Sequence, residues 1–291
     1  MPLPTSDTTV TYPDGATMSA GTVLHVEPLP DGRSAVLLDT TAFHPVDTAW
    51  PDQPADRGTL TTPQGSQPIV DARTGGISEG RLHLGTELPV RTGTDGWTFV
   101  VAHVVEGEPP AIGDSARVDV DADYRSSLSA GHTACHLAAL ALDGALAGAW
   151  SKPAPIDALG NPAFDALAIQ QSRIHPNRSV DIYRIGKSLR RKGFVPAALD
   201  ELESVADRAN ARLARWVSAG GHVRIERDDD RLSSRRTWVC DLPEGRTDIP
   251  CGGTHLHDLS ELSGVTVVLT TRQTDGGLEL TMETVAEIAG R

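Results

Sequence analysis

The chain has 291 residues, 39% of them apolar and 22% charged, with a formal net charge of −13. That length and composition describe one large or two modest folded domains and exclude a disordered or fibrous chain. Taken whole, the acid excess speaks against a protein that coats nucleic acid through electrostatics alone. The first half reads as short strands broken by Gly, Pro and Asp, with Ala35 to Leu38, Trp97 to Val105 and Ala116 to Val120 the clearest. An antiparallel barrel or sandwich is the expected outcome. The turn cluster from Gly107 to Gly113 precedes a change of pattern, and a boundary is expected between Gly113 and Arg125.

Beyond that boundary long helical patterns appear. The first runs from about Ser129 to Ala147, Ala-rich, with Leu137, Leu140, Ala141, Gly144 and Ala145 at helical spacings. The second is expected from about Pro196, where a first-turn proline is tolerated, to Val217. Its core face is Leu199, Leu202, Val205, Ala206, Ala209, Leu213, Trp216 and Val217, and Gly220 and Gly221 end it. Strands follow at about His222 to Glu226, Thr237 to Cys240 and Val265 to Thr271. The predicted fold class is therefore α+β: a barrel-like β domain over residues 1–118, then an antiparallel sheet with long helices over 119–291.

Cys135, Cys240 and Cys251 are too few and too scattered for a disulfide framework, so a reducing cytoplasm is expected. The N-terminus lacks a basic region followed by an apolar one. The longest apolar stretch, Leu137 to Trp150, contains Asp143 and is too short to span a bilayer, so no membrane partner is expected. Two spacings carry chemistry. His132 and His136 sit at i and i+4 on one helix face, where both imidazoles can reach one ion. Cys251-Gly-Gly-Thr-His255 offers a thiolate and an imidazole across a glycine turn. With 10 histidines in the chain either spacing alone can arise by chance, and buried His and Cys are often merely packed. Together they form a candidate His₃Cys zinc site. Cys135 is expected to project about 100° away from the ligand beside it and to pack in the core, and Cys240 to pack as well.

The string Ser129-Ala-Gly-His132-Thr-Ala-Cys-His136-Leu is preceded by Val118-Asp-Val-Asp-Ala-Asp-Tyr-Arg125 and followed far downstream by Pro250-Cys-Gly-Gly-Thr-His255-Leu. It resembles the second additional domain shared by alanyl- and threonyl-tRNA synthetases, and above all the free-standing AlaX-type alanyl-tRNA editing proteins. In the first domain, Val36 to Pro45 and Gln53-Pro-Ala-Asp-Arg-Gly58 are similar to that family's first-domain motif. The resemblance implies a zinc-dependent hydrolase acting on aminoacyl-tRNA. Its reaction would be cleavage of the ester joining a wrong amino acid to the tRNA 3′ adenosine, with His132, His136, Cys251 and His255 as metal ligands. An aminoacyl ester is already activated, so no nucleophilic side chain is required, and no GxSxG or HExxH motif is present. The stretch Val46 to Asp52 departs from the family pattern, which has three consecutive glycines there. This departure weakens serine as the amino acid removed and makes threonine or a threonine analogue a serious candidate beside it, unless the stretch is simply a variant surface turn.

Thr133 and Thr254 lie beside the ligands and are candidates to bind a substrate hydroxyl or carbonyl oxygen, although Thr133 could equally cap or pack its helix. His257 is expected at the surface. Charge is uneven: residues 1–125 hold 18 acids, 7 bases and no lysine, whereas 126–291 hold 21 acids and 19 bases. Arg184, Lys187, Arg190, Arg191 and Lys192 cluster in one segment flanked by Tyr183 and Phe194. This basic strip is the candidate tRNA contact, with the aromatics available to stack on terminal bases; a solvated helix face is the plainer alternative. No DNA partner is implied. Two further readings stay open: a non-catalytic zinc-stabilised tRNA-binding module, and a hydrolase of small esters or amides outside translation.

Overall fold

The computed structural model describes residues 3–290, so residues 1, 2 and 291 of the two expected domains lie outside it. The fold is α+β with mainly antiparallel sheets. By contacts the chain divides into two units: residues up to Ser126 with Ile225–Thr237 and Pro250–Thr254, and Ser127–Arg224 with Trp238–Ile249 and the residues from His255 onward. Three short stretches of the predicted second domain, residues 119–126 and the two later ones, thus join the first unit.

The first unit contains β1 (Met18–Pro28), β2 (Ser34–Leu38), β3 (Gly58–Thr62), β4 (Gly65–Ser78), β5 (Arg81–Leu84), β6 (Thr98–Val105) and β7 (Ser115–Val120). They form one sheet in the order β3-β7-β1-β2-β6-β4-β5, and β3 also pairs with β4, which closes all the strands but β5 into a barrel. Closure removes the open edges of those strands. The interior is filled by Val23, Val36, Leu38, Phe43, Leu60, Ile69, Val105 and Val118. In β7 buried and less buried positions alternate, as strand period two requires. The β3–β4 hairpin is Thr-, Gln- and Gly-rich, so apolar pattern gives little sign of it.

Helix α1 spans Ala122–Ala145 and starts a full turn and more before the predicted Ser129. Asp121 explains the difference: its Oδ1 accepts the Tyr124 N–H at 3.0 Å, and its carbonyl accepts the Arg125 N–H. The first turn is exposed and polar, so apolar spacing misses it. The second unit continues with α2 (Phe164–Ala168), β8 (Ile169–His175), β9 (Arg178–Ile185), α3 (Lys187–Arg191) and α4 (Leu202–Ala219). After them come β10 (Val223–Arg227), β11 (Arg236–Leu242), β12 (Gly245–Pro250), β13 (Leu262–Thr274) and β14 (Gly277–Ile288). The predicted helix from Pro196 is instead a 3₁₀ turn at Pro196–Leu199 followed, after Asp200 and Glu201, by α4. The buried face of α4 is Val205, Ala209, Leu213, Trp216 and Val217. It lies on the four-stranded antiparallel sheet β8-β9-β14-β13, pinned where Asn210 exchanges two hydrogen bonds with the Val267 backbone at 3.0 and 2.8 Å.

Gly131 is required where α1 crosses the β8–β9 turn. A Cβ there would lie 2.5 Å from the His175 carbonyl oxygen and 2.7 Å from that of Arg178. Behind the helix, Cys135 is buried with Sγ 3.5 Å from both Asp181 oxygens, and Asp143 accepts the Asp165 N–H at 2.7 Å. Burial pushes the carboxyl of Asp181 up to about 6 and that of Asp143 up to about 9.

Two outcomes are expected. The Asp56–Arg125 pair is buried, with side-chain exposures of 0% and 5%. Arg125→Met strands that carboxylate and should lower unfolding free energy by about 3–5 kcal/mol, read by chemical denaturation, with partial recovery in Arg125→Met/Asp56→Asn. The raised carboxyls of Asp181 and Asp143 hold their protons more tightly folded than unfolded. Their contribution is complete below the unfolded value of 3.8 and is lost as pH rises through about 6 and then about 9. Asp143→Asn keeps the acceptor for Asp165 and should flatten the fall in Tm across that window.

Candidate metal centre

Helix α1 sets the site because His132 and His136, one turn apart, project from the same face. Their ring centroids are 4.8 Å apart, and His255 lies 4.3 Å from His132 and 5.0 Å from His136. Cys251 precedes His255 by four residues. One donor atom from each of His132, His136, Cys251 and His255 lies within 4.8 Å of the others, so the four could hold a metal ion.

The donor chemistry fits zinc, for which imidazole and thiolate in a set of four are the common ligands. His136 Nε2 is buried with no hydrogen-bond partner, an unsatisfied group of a kind that folded proteins rarely keep without a use. Burial depresses its imidazole to about 3, so the ring is neutral and carries a lone pair. Burial pushes the Cys251 thiol up; a nearby cation is what would make it a thiolate. Trp238, fully buried, packs 4.9 Å from the His136 ring and 6.0 Å from that of His255.

Thr133 is fully buried on α1. Its hydroxyl oxygen accepts the Leu256 N–H at 3.1 Å and lies 3.4 Å from His255 Nδ1. It therefore orients the His255 ring, as partners of ligating histidines commonly do. Thr254 is held by Gln53, the first residue of the Gln53-Pro-Ala-Asp-Arg-Gly58 stretch. Gln53 is 2% exposed; its Nε2 donates to Thr254 Oγ1 at 2.9 Å and its Oε1 accepts the Thr254 N–H at 3.0 Å. The signal was the Gln-Pro dipeptide, but its partner 201 residues away has no trace in local pattern. His44 lies behind Gln53, 3.5 Å from its amide nitrogen, and burial lowers its imidazole to about 4.

The glycine-free stretch before Gln53 is a local turn. Asp47 Oδ1 accepts the N–H groups of Ala49 and Trp50 at 2.7 and 3.3 Å, and Trp50 is 43% exposed. His257 is exposed, and Cys240 is buried.

Arg184, Lys187, Arg190, Arg191 and Lys192 are all exposed. Lys187, Arg190 and Arg191 line a surface hollow of about 460 Å³. The flanking aromatics correct the expectation of base stacking. Tyr183 is 0% and Phe194 2% exposed; both pack on Phe164, and the Tyr183 hydroxyl donates to Asp165 at 3.0 Å. Alternation along β9 turns Tyr183 inward beside an outward Arg184, which is why adjacency in sequence misleads here.

No protein-family model matches the chain. Over 233 residues it is 26% identical to the alanyl-tRNA editing protein AlaX-M of Pyrococcus horikoshii, a span of 80% of this chain and 78% of that protein. The chain is homologous to that editing protein over most of its length. It is also 36% identical over 107 residues to the alanine–tRNA ligase of Pyrobaculum neutrophilum, which covers 37% of this chain and only 9% of the ligase. The match to AlaX-M is too long to lie within either unit alone, whereas the ligase match spans 37% of the chain. Among the described residues no helix is long and apolar enough to cross a membrane.

His136→Ala removes the neutral buried donor and should abolish stoichiometric zinc by elemental analysis. Thr133→Val should leave zinc bound but weaken its retention against a chelator by about 10–100-fold.

Proposed function

We propose that the chain is a trans-editing aminoacyl-tRNA deacylase. Its reaction would be zinc-dependent hydrolysis of the ester linking a wrong hydroxy-amino acid to the tRNA 3′ adenosine, that residue being serine, threonine or a threonine analogue. The supporting observation is the gathering of His132, His136, Cys251 and His255 in a homologue of an alanyl-tRNA editing protein. Zinc at that donor set would supply Lewis acidity to a water or to a polar substrate group. The chain's own contribution is orientation. Thr133, tied to Leu256, would hold the His255 ring in place, and Thr254, gripped by Gln53, would offer a fixed hydroxyl to the amino acid's hydroxyl or carbonyl oxygen.

The basic strip supplies the tRNA contact in this proposal. Among the described residues Arg184, Lys187, Arg190, Arg191 and Lys192 form no ion pairs, so their charges are available to backbone phosphates, and the guanidinium fork suits that geometry. The acid-rich first part of the chain would discourage general nucleic-acid binding.

A second reading is favoured by one feature: four protein donors make the closed set typical of structural zinc. It would make the chain a non-catalytic tRNA-binding module that unfolds without metal. Release of amino acid from a panel of Ser-, Thr-, Gly- and analogue-charged tRNAs decides between them. The deacylase proposal expects selective release by the parent protein and loss of release in folded Cys251→Ala. No release from any member, with unfolding of Cys251→Ala, sinks it. Arg190→Ala/Arg191→Ala/Lys192→Ala should weaken tRNA binding and reduce the slope of log affinity against log salt by about 2.

A further inference from the structure

A cavity of about 160 Å³ opens within the first unit, lined by Tyr12, His44, Asp47, Thr92, Arg236 and Gly252 among others. Its chemistry is set by Arg236, a charged side chain only 9% exposed. The two terminal nitrogens donate to the Leu232 and Arg231 carbonyls at 3.1 and 2.7 Å. The guanidinium lies 5.4 Å from the centroid of the Tyr12 ring, and Nε has no hydrogen-bond partner. Among the described residues Arg236 has no carboxylate partner. A buried cation stabilised only by carbonyl dipoles and a ring face is incompletely compensated, and an anionic group reaching it would gain charge-assisted hydrogen bonds.

Asp47 lines the same cavity, and it too lacks an ion-pair partner among the described residues. Its carboxylate accepts two N–H groups of its own turn. The cavity therefore presents a cation and an anion that do not pair with each other. Exposed Arg235 adds a second positive charge at the lining. A phosphate dianion would be opposed by Asp47, whereas a zwitterion satisfies both charges. Cavities of roughly 150 Å³ accept a benzene-sized molecule, and serine or threonine is of that order.

We infer that this cavity binds a free α-amino acid of the size of serine or threonine, its carboxylate toward Arg236 and its ammonium toward Asp47. An aminoacyl ester has no free carboxylate, so the cavity selects the acid over its esterified form. That the acid is the released product rests on the deacylase proposal; recognition of the carboxylate does not.

Calorimetry on the full-length protein tests this with L-serine, L-threonine, their carboxamides and inorganic phosphate. The acids should bind, and the carboxamides should bind at least about tenfold more weakly. Thr92→Trp, which fills the cavity from a partly buried position, should abolish binding with thermal unfolding unchanged, and Arg236→Lys should weaken it. Equal affinity for acid and carboxamide overturns the inference, as does displacement of the acid by phosphate or absence of heat at roughly 10 mM ligand. Deacylation is read separately on charged tRNA. Binding without deacylation counts against the enzyme alone, and deacylation without binding counts against the cavity alone.

Discussion

The buried pair between Arg125 and Asp56 is the interaction on which the first unit's functional loop depends. Arg125 Nε donates to Asp56 at 2.7 Å, and its other donors reach the Ala42 and Ala16 carbonyls at 2.8 and 3.3 Å. Asp56 in turn accepts the His44 N–H at 2.6 Å. The segment from Ala42 to Asp56 is thereby held at both ends, and Gln53 within it grips Thr254, the residue before His255. Such a pair contributes little net stability against an apolar replacement, but breaking one side is costly because the other charge has no access to water. That asymmetry makes it a rigid tether for the loop, beside the burial of Ala42 and Phe43 in the barrel core.

The histidine cluster rests on the opposite device, which is neutrality. His136 is held far below the ordinary imidazole range by burial alone, and Trp238 closes over it with a flat apolar face. A dry wall keeps the donor unprotonated and strengthens any electrostatic interaction made there. Thr133 and the Leu256 N–H then fix the ring of His255, so the orientation of the donors is built into the fold.

Charge is divided between tasks. Acids dominate the first 125 residues, while the exposed bases of β9 and α3 form a local strip. A net charge of −13 is thus compatible with a nucleic-acid partner held at one place, because screened electrostatics act over about 10 Å and not over the whole molecule. Buried Arg236 and partly buried Asp47 add a further set of charges, not paired with each other, in the first unit.

Local pattern determined a good deal: the β-rich first half, the long helix with two histidines one turn apart, the apolar face of α4 and the Cys-Gly-Gly-Thr-His turn. These are short-range properties, set by helical and strand periods and by glycine's freedom. Tertiary structure alone decided that β3 pairs with β4 to close a barrel and that Gln53 serves Thr254 across 201 residues. It also turned Tyr183 and Phe194 inward and left Arg236 buried beside Tyr12 without a carboxylate. Which partners meet across hundreds of residues depends on packing the whole core at once, and composition or spacing carries no record of it.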